Sequence, residues 1–204
     1  MHFQYIIELL DLPEIRVVDI SITDQKHVII EVVPVEYIQK CPCCFSSSVK
    51  RMGIPYHRKV RHLSAFGKTV YLRLPAIRMQ CKECFATFVW EYSFVGAKKR
   101  YTKQFESFVV QQASGSTIKT TADQQNVPYS TAERCYKYCL KLESERIQEK
   151  CLKDAANRDM LVLGIDDFAI RKGHKYNTGL HDLKGGSFLQ LIPGRTYEEL
   201  MDHY

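Results

Sequence analysis

The spacing of apolar and polar positions divides the chain into four stretches. From Met1 to about Gln39, Phe3 to Leu10 predicts a short helix halted near Pro13. Ile15 to Ile22 and His27 to Val33 are rich in Val and Ile and predict two strands, turned at Thr23-Asp24-Gln25. This N-terminal β-ribbon says little about function. From Lys40 to about Phe94, strand character recurs at Tyr56 to His62, Lys68 to Leu74, Ile77 to Gln80 and Ala86 to Trp90.

From about Lys98 to Lys153 the period becomes helical. Thr102 is placed to cap a helix carrying Phe105, Phe108 and Val109, which Gly115 interrupts. Ser116 or Thr117 starts a second helix with Ile118 and Ala122, and Asn126-Val127-Pro128 breaks it. Ser130 then caps a third helix through Tyr136, Tyr138 and Leu140, followed by a solvated connector helix to Asp154. In the last stretch, Met160 to Ile165 is an uninterrupted apolar run, the pattern of a central buried strand, and it ends in Asp166-Asp167. Tyr176 to Leu183 and Ser187 to Ile192 complete three antiparallel strands around a Lys184-Gly185-Gly186 turn, and Thr196 caps a final helix. The fold class is α+β, with boundaries at 1–39, 40–95, 96–157 and 158–204.

The second stretch carries two cysteine knuckles, Cys41-Pro-Cys-Cys44 and Cys81-Lys-Glu-Cys84. Two intervening residues let both thiolates of a pair reach one metal from a tight turn, so two knuckles supply a tetrahedral four-thiolate zinc site. Cys41, Cys44, Cys81 and Cys84 are the expected ligands and Cys43 the spare. His57 and His62 remain alternatives to a cysteine, and reduced cysteines packed as small hydrophobes remain the bland reading. The gap between the knuckles is longer than in the simplest ribbon, which a hairpin insertion explains. Cys135 and Cys139, four apart on the third helix, are expected to pack in the core.

Charge adds a second signal. The formal net charge is +6, yet the segment from Lys40 to Lys103 holds fourteen Lys or Arg against Glu83 and Glu91. That segment carries +12 and the remainder −6. A basic block in an otherwise acidic chain is the footprint of a polyanion-binding surface; a solvated face is the alternative. Within it, Arg58, Lys59, Arg61, Lys98, Lys99 and Arg100 are candidate phosphate contacts. The helix, turn and Ser-Thr opening around Val127 read as a helix-turn-helix or as a purely structural bundle. In the first reading Tyr129, Ser130, Thr131, Glu133 and Arg134 face bases in the major groove, and Lys137 faces phosphate.

No apolar run approaches the roughly 20 residues that span a bilayer. The N-terminus has no basic leader, and Glu8 and Asp11 interrupt its apolar stretch, so the cytoplasm is the expected compartment. There, eight cysteines point to metal or free thiols rather than disulfides. Asp166 also stands out, because an acid at the end of a buried strand is costly unless it is paired or binds a metal. It is a metal-binding carboxylate or a strand-end aspartate bonded to the next loop.

The order of these parts resembles the ISL-three family of bacterial insertion-sequence transposases. The residues that carry the resemblance are Cys41-Pro-Cys-Cys44, Arg61-His-Leu63 and Arg78-Met-Gln-Cys81-Lys-Glu-Cys84, then Gly164-Ile-Asp166-Asp-Phe-Ala-Ile-Arg171-Lys-Gly173-His174-Lys-Tyr176-Asn-Thr178, Asp182-Leu183 and Pro193-Gly-Arg195-Thr196. The resemblance implies a DDE transposase whose last stretch is the first three strands of a ribonuclease-H-like core, with Asp166 as the first catalytic carboxylate. It also implies Mg²⁺ or Mn²⁺ in the full-length form, double-stranded DNA (the element's terminal inverted repeats) as partner, and a place on the bacterial nucleoid; a homodimer is one oligomeric state open to it. The second and third carboxylates lie further along in such cores. The resemblance therefore implies a C-terminally truncated chain that is inactive in cleavage alone. Asp182, on the neighbouring strand, does not match the family's second position but is expected near Asp166. The alternatives are a zinc-dependent DNA-binding transcriptional regulator and, more weakly, an RNA-binding ribbon protein.

Overall fold

The computed structural model describes residues 4–25, 27–36, 40–171 and 175–201 and falls into two compact units, residues 1–135 and 136–204. In the first unit α1 (Gln4–Leu10) leads into β1 (Ile15–Ile22) and β2 (Val28–Pro34), an antiparallel pair. β3 (Val49–Arg61) and β4 (Val70–Cys81) form a long hairpin, and β5 (Thr87–Val89) pairs with β4. The order is β1-β2-β4-β3, because Val28 to Glu31 of β2 run parallel to Val70 to Arg73 of β4. The strands of the first two stretches thus share one sheet. The core of that sheet gathers Ile15, Val17, Ile30, Val32, Leu72, Leu74, Ile77 and Met79 with Trp90, Tyr92 and Phe94.

Two strands differ from the sequence pattern. Lys68 to Leu74 and Ile77 to Gln80 are one strand that runs through Pro75. The proline is tolerated because pairing with β2 ends at Arg73, and its carbonyl accepts the Tyr92 hydroxyl at 2.9 Å. β3 begins seven residues before the expected Tyr56. As an edge strand it is exposed along most of its length, so it lacks the alternation that marks a half-buried strand. A bulge at Gly53, with φ 141°, interrupts the register. The hairpin closes on a two-residue turn, Phe66-Gly67, with both residues at positive φ.

Three helices follow: α2 (Lys103–Ser114), α3 (Ile118–Gln125) and α4 (Tyr129–Ala156). Thr102 caps α2 by accepting the Phe105 N–H, and Thr117 caps α3 by accepting the Thr120 N–H. Asn126 ends α3 in left-handed backbone at φ 48°. Phe105, Val109, Ala122, Val127 and Ala132 form their core. Ser130 is not a cap. α4 opens on the Pro128 carbonyl, which accepts the Ala132 N–H at 3.2 Å, so Ser130 lies inside the first turn. Cys135 is buried, and burial pushes its thiol up, whereas Cys139 is exposed, contrary to expectation.

In the second unit, β6 (Leu163–Arg171), β7 (Lys175–Asp182) and β8 (Ser187–Pro193) make an antiparallel sheet in that order. Ala155, Leu180, Leu189 and Ile192 form its core. Thr196 and Glu199 cap α5 (Tyr197–Met201) reciprocally: Thr196 Oγ1 accepts the Glu199 N–H, and a Glu199 oxygen accepts the Thr196 N–H. The central buried strand expected at Met160 to Ile165 is an edge strand that starts at Leu163, and Ile165 is 65% exposed. Among the described residues no strand pairs its outer edge, and Leu161, Val162, Leu163 and Ile165 are all exposed, so an apolar run suited to burial lies uncovered.

Candidate metal centre and nucleic-acid surface

The β3–β4 hairpin consumes the gap between the knuckles. Val49, just after the first knuckle, pairs with Cys81, the first residue of the second. The Sγ atoms of Cys41, Cys44, Cys81 and Cys84 lie within 4.8 Å of one another. Cys41 and Cys84 sulfurs are 3.5 Å apart, and Cys44 and Cys81 sulfurs 3.6 Å. A zinc–sulfur bond of about 2.3 Å in a tetrahedron requires sulfur separations of roughly 3.8 Å, so the arrangement fits Zn²⁺. The N–H groups of Cys43 and Glu83 point at the Cys41 and Cys81 sulfurs, both at 3.4 Å. Cys43 is exposed and outside the cluster. His57 pairs with Pro75 along the hairpin, and His62 is buried against Thr102, so neither replaces a cysteine.

The thiol chemistry agrees. The Cys44 N–H, and less so that of Cys43, hold the Cys41 thiol down to about 6, against burial. At Cys84 the Ala86 N–H favours the thiolate, but the adjacent Cys44 and Cys41 sulfurs outweigh it and push the thiol up to about 12. Four thiolates do not coexist here without a cation, and a bound divalent metal is what deprotonates all four.

Residues 39–84 match the family described as the zinc-finger of transposase IS204/IS1001/IS1096/IS1165. The chain is similar to the ISL-three insertion-sequence transposases. It is 26% identical over 141 residues to the transposase for insertion sequence element IS1001 of Bordetella parapertussis, covering 69% of this chain and 33% of that protein. The chain thus spans about a third of the length of the curated protein it matches. No solved structure matches it. The regulator reading is not favoured by these similarities.

The basic candidates divide into two sets. Lys59, Lys98, Lys99 and Arg100 are exposed, with the Lys59 ammonium 4.1 Å from the centre of the Tyr71 ring. Arg58 and Arg61 are turned to internal work. Arg58 donates to the Gly96 and Lys99 carbonyls at 3.1 and 2.7 Å, which fixes the loop that carries Lys98 and Lys99. Arg61 is only 7% exposed; its guanidinium lies 4.5 Å from the Phe105 ring centre and donates to the Asn126 carbonyl at 3.0 Å. Burial lowers its pKa from the ordinary arginine value. Arg61 is therefore a buried strut and not a phosphate contact. On α4, Tyr129, Ser130, Arg134 and Lys137 are exposed and Thr131 is half-buried.

On β6, Asp166 is exposed and lies opposite Gly179, while Asp167 lies opposite Thr178 and accepts its hydroxyl at 2.7 Å. The neighbouring aspartates project to opposite faces, as strand alternation requires. Asp182 does not stand beside Asp166. It pairs with Leu163, which puts it on the Asp167 face, and it is buried, bonded to the Gly185 N–H at 2.8 Å and paired with Arg158 at 3.2 Å. Among the described residues Asp166 brings one carboxylate to its face, which does not fit a two-metal site by itself. Lys172, Gly173 and His174 of the resemblance lie outside the described residues.

Sequence reasoning missed the link from Arg61 to Asn126, because it joins residues 65 positions apart. It also missed that the residue after each knuckle, Phe45 and Phe85, adopts left-handed backbone. The symmetric Cys-Phe ends were a readable signal for the second.

Proposed function

We propose that this chain is the DNA-binding part of a bacterial insertion-sequence transposase, engaging the terminal inverted repeats as a homodimer. The observation that carries the reading is the four-thiolate cluster within the segment matched to the transposase zinc finger, set in a block of +12 charge. The exposed Lys59, Lys98, Lys99 and Arg100 supply sequence-independent phosphate contacts. α3, the Asn126–Pro128 turn and α4 act as a helix-turn-helix, in which Tyr129, Ser130, Thr131 and Arg134 read base edges and Lys137 contacts phosphate. Its place of action is the nucleoid, in the cytoplasm.

Asp166 is assigned as the first carboxylate of a ribonuclease-H-like core that uses Mg²⁺ or Mn²⁺ for strand cleavage and transfer in the full-length form. The support is its position at an exposed strand edge and the sequence around it. The described residues do not hold a two-metal site, so no cleavage step is derived for them.

The test is selection of preferred duplexes from a random pool, followed by comparison with the ends of the element that encodes the chain. Enrichment of those ends by the wild-type protein, relaxed in Arg134→Ala but only weakened evenly in Lys98→Ala, supports the reading. Absence of any duplex binding contradicts it.

A further inference from the structure

Phe45 and Phe85 stand at equivalent points of the two knuckles, each directly after the last cysteine. Both have φ 59°, and they are 74% and 71% exposed. The knuckles close alike, the Cys41 N–H bonding to the Ser46 carbonyl at 2.8 Å and the Cys81 N–H to the Ala86 carbonyl at 3.0 Å. Left-handed backbone favours glycine and disfavours a bulky side chain. An exposed phenyl ring also leaves apolar surface in water. Neither ring belongs to the hydrophobic core, and the fold bears both costs twice, which points to a role for phenylalanine outside the fold.

The surroundings indicate the partner. Lys40 flanks the first knuckle and Lys82 lies inside the second. Lys50 and Arg78 stand on the adjoining strands, all four are exposed, and Glu83 alone opposes them between residues 40 and 84. This local excess of exposed cations favours a polyanionic partner, and duplex DNA uses both features. Phosphates take the lysines, and base steps accept apolar wedges.

We propose that the zinc knuckles present Phe45 and Phe85 as paired wedges that insert at base steps of duplex DNA, with Lys40 and Lys82 on the flanking phosphates. This rests on the DNA-binding reading above. Insertion unstacks and untwists the duplex, which a sequence-independent assay detects. Closed circular plasmid is relaxed by a topoisomerase with the protein bound, and the topoisomers are then resolved. The wild-type protein shifts their distribution. The Phe45→Gly/Phe85→Gly protein loses the shift and binds a mixed-sequence duplex at least about tenfold more weakly, the equivalent of one stacked base. It keeps its zinc and melts no lower than wild type. The Phe45→Trp/Phe85→Trp protein retains both the shift and the affinity. A glycine variant with wild-type affinity and topoisomers, or a wild-type protein that binds without shifting them, overturns the inference and leaves DNA binding standing. A wild-type protein that binds no duplex overturns both.

Discussion

The Arg61 guanidinium reaches across from the end of β3 to the backbone carbonyl of Asn126, at 3.0 Å. Asn126 is the left-handed residue that ends α3 and begins the turn into α4. The same guanidinium lies over Phe105, and the Arg61 main chain bonds to Arg100 and Thr102. One residue thereby ties the sheet that holds the zinc knuckles to the turn that sets the start of α4. The most conspicuous arginine of the Arg61-His-Leu63 motif serves orientation of the helices.

Arg61→Met is expected to destabilise the chain by about 2 kcal/mol, since it removes a part-buried, charge-assisted hydrogen bond to the Asn126 carbonyl. Urea unfolding measures it. Arg61→Lys should recover only part, because a lysine cannot both stack on Phe105 and reach the carbonyl in a fixed plane. Equal stability of Arg61→Met and wild type would show that the link is unimportant.

Much of the fold was legible because local signals coincided with tertiary ones. Thr102, Thr117 and Asn126 punctuate the helices as capping chemistry dictates. Cys41, Cys44, Cys81 and Cys84 were legible as a metal set because knuckle spacing alone brings each pair to one point. The parallel join of β2 to β4 was not legible, since nothing local encodes which strand a ribbon edge meets. β6 misled for a related reason. Its apolar run reports the burial that Leu163 and Ile165 suit, and the described residues leave both exposed. Arg61 and Lys59 look alike in sequence, and only the helices packed beyond β3 make one a buried strut and the other a surface charge.

His62 predicts a pH dependence. Its Nδ1 lies 3.0 Å from the Thr102 hydroxyl, within hydrogen-bond distance. Burial lowers the His62 pKa below the ordinary 6.5, outweighing the Leu10 carbonyl, which favours the cation. The unfolded chain takes up a proton at this residue as pH falls through 6.5 while the folded chain resists it. The His62 contribution is therefore complete above 6.5 and is lost progressively below it. Stability of His62→Gln should fall less steeply than wild type from pH 6.5 downward, in paired denaturation series. Identical slopes would place the acid sensitivity elsewhere.

The Phe66-Gly67 turn is a site for stabilisation. Phe66 has φ 53° and is almost fully exposed at the tip of the β3–β4 hairpin. Asparagine is the favoured residue there in a two-residue turn of this kind. Phe66→Asn should raise stability by about 1 kcal/mol, the scale of a left-handed penalty relieved. A lower melting temperature would show that the ring makes a contact worth keeping.

Zinc should be integral to the first unit. Protein purified without a metal-affinity tag is expected to contain about one zinc per chain, and Cys81→Ser with Cys84→Ser should lose it. Removal of the metal should unfold the ribbon, seen as lost amide-exchange protection in β3 and β4. A double variant that keeps its zinc would reject the ligand set.

Binding of duplex DNA across salt, with and without zinc, tests the central claim most directly. Six or more phosphate contacts lower affinity by roughly a thousandfold or more between 50 and 200 mM salt. The zinc-loaded chain is expected to show that slope, and the chelated chain to lose most of its affinity at low salt. Affinity that is indifferent to salt, or unchanged when the zinc is stripped, would contradict a zinc-organised DNA-binding surface.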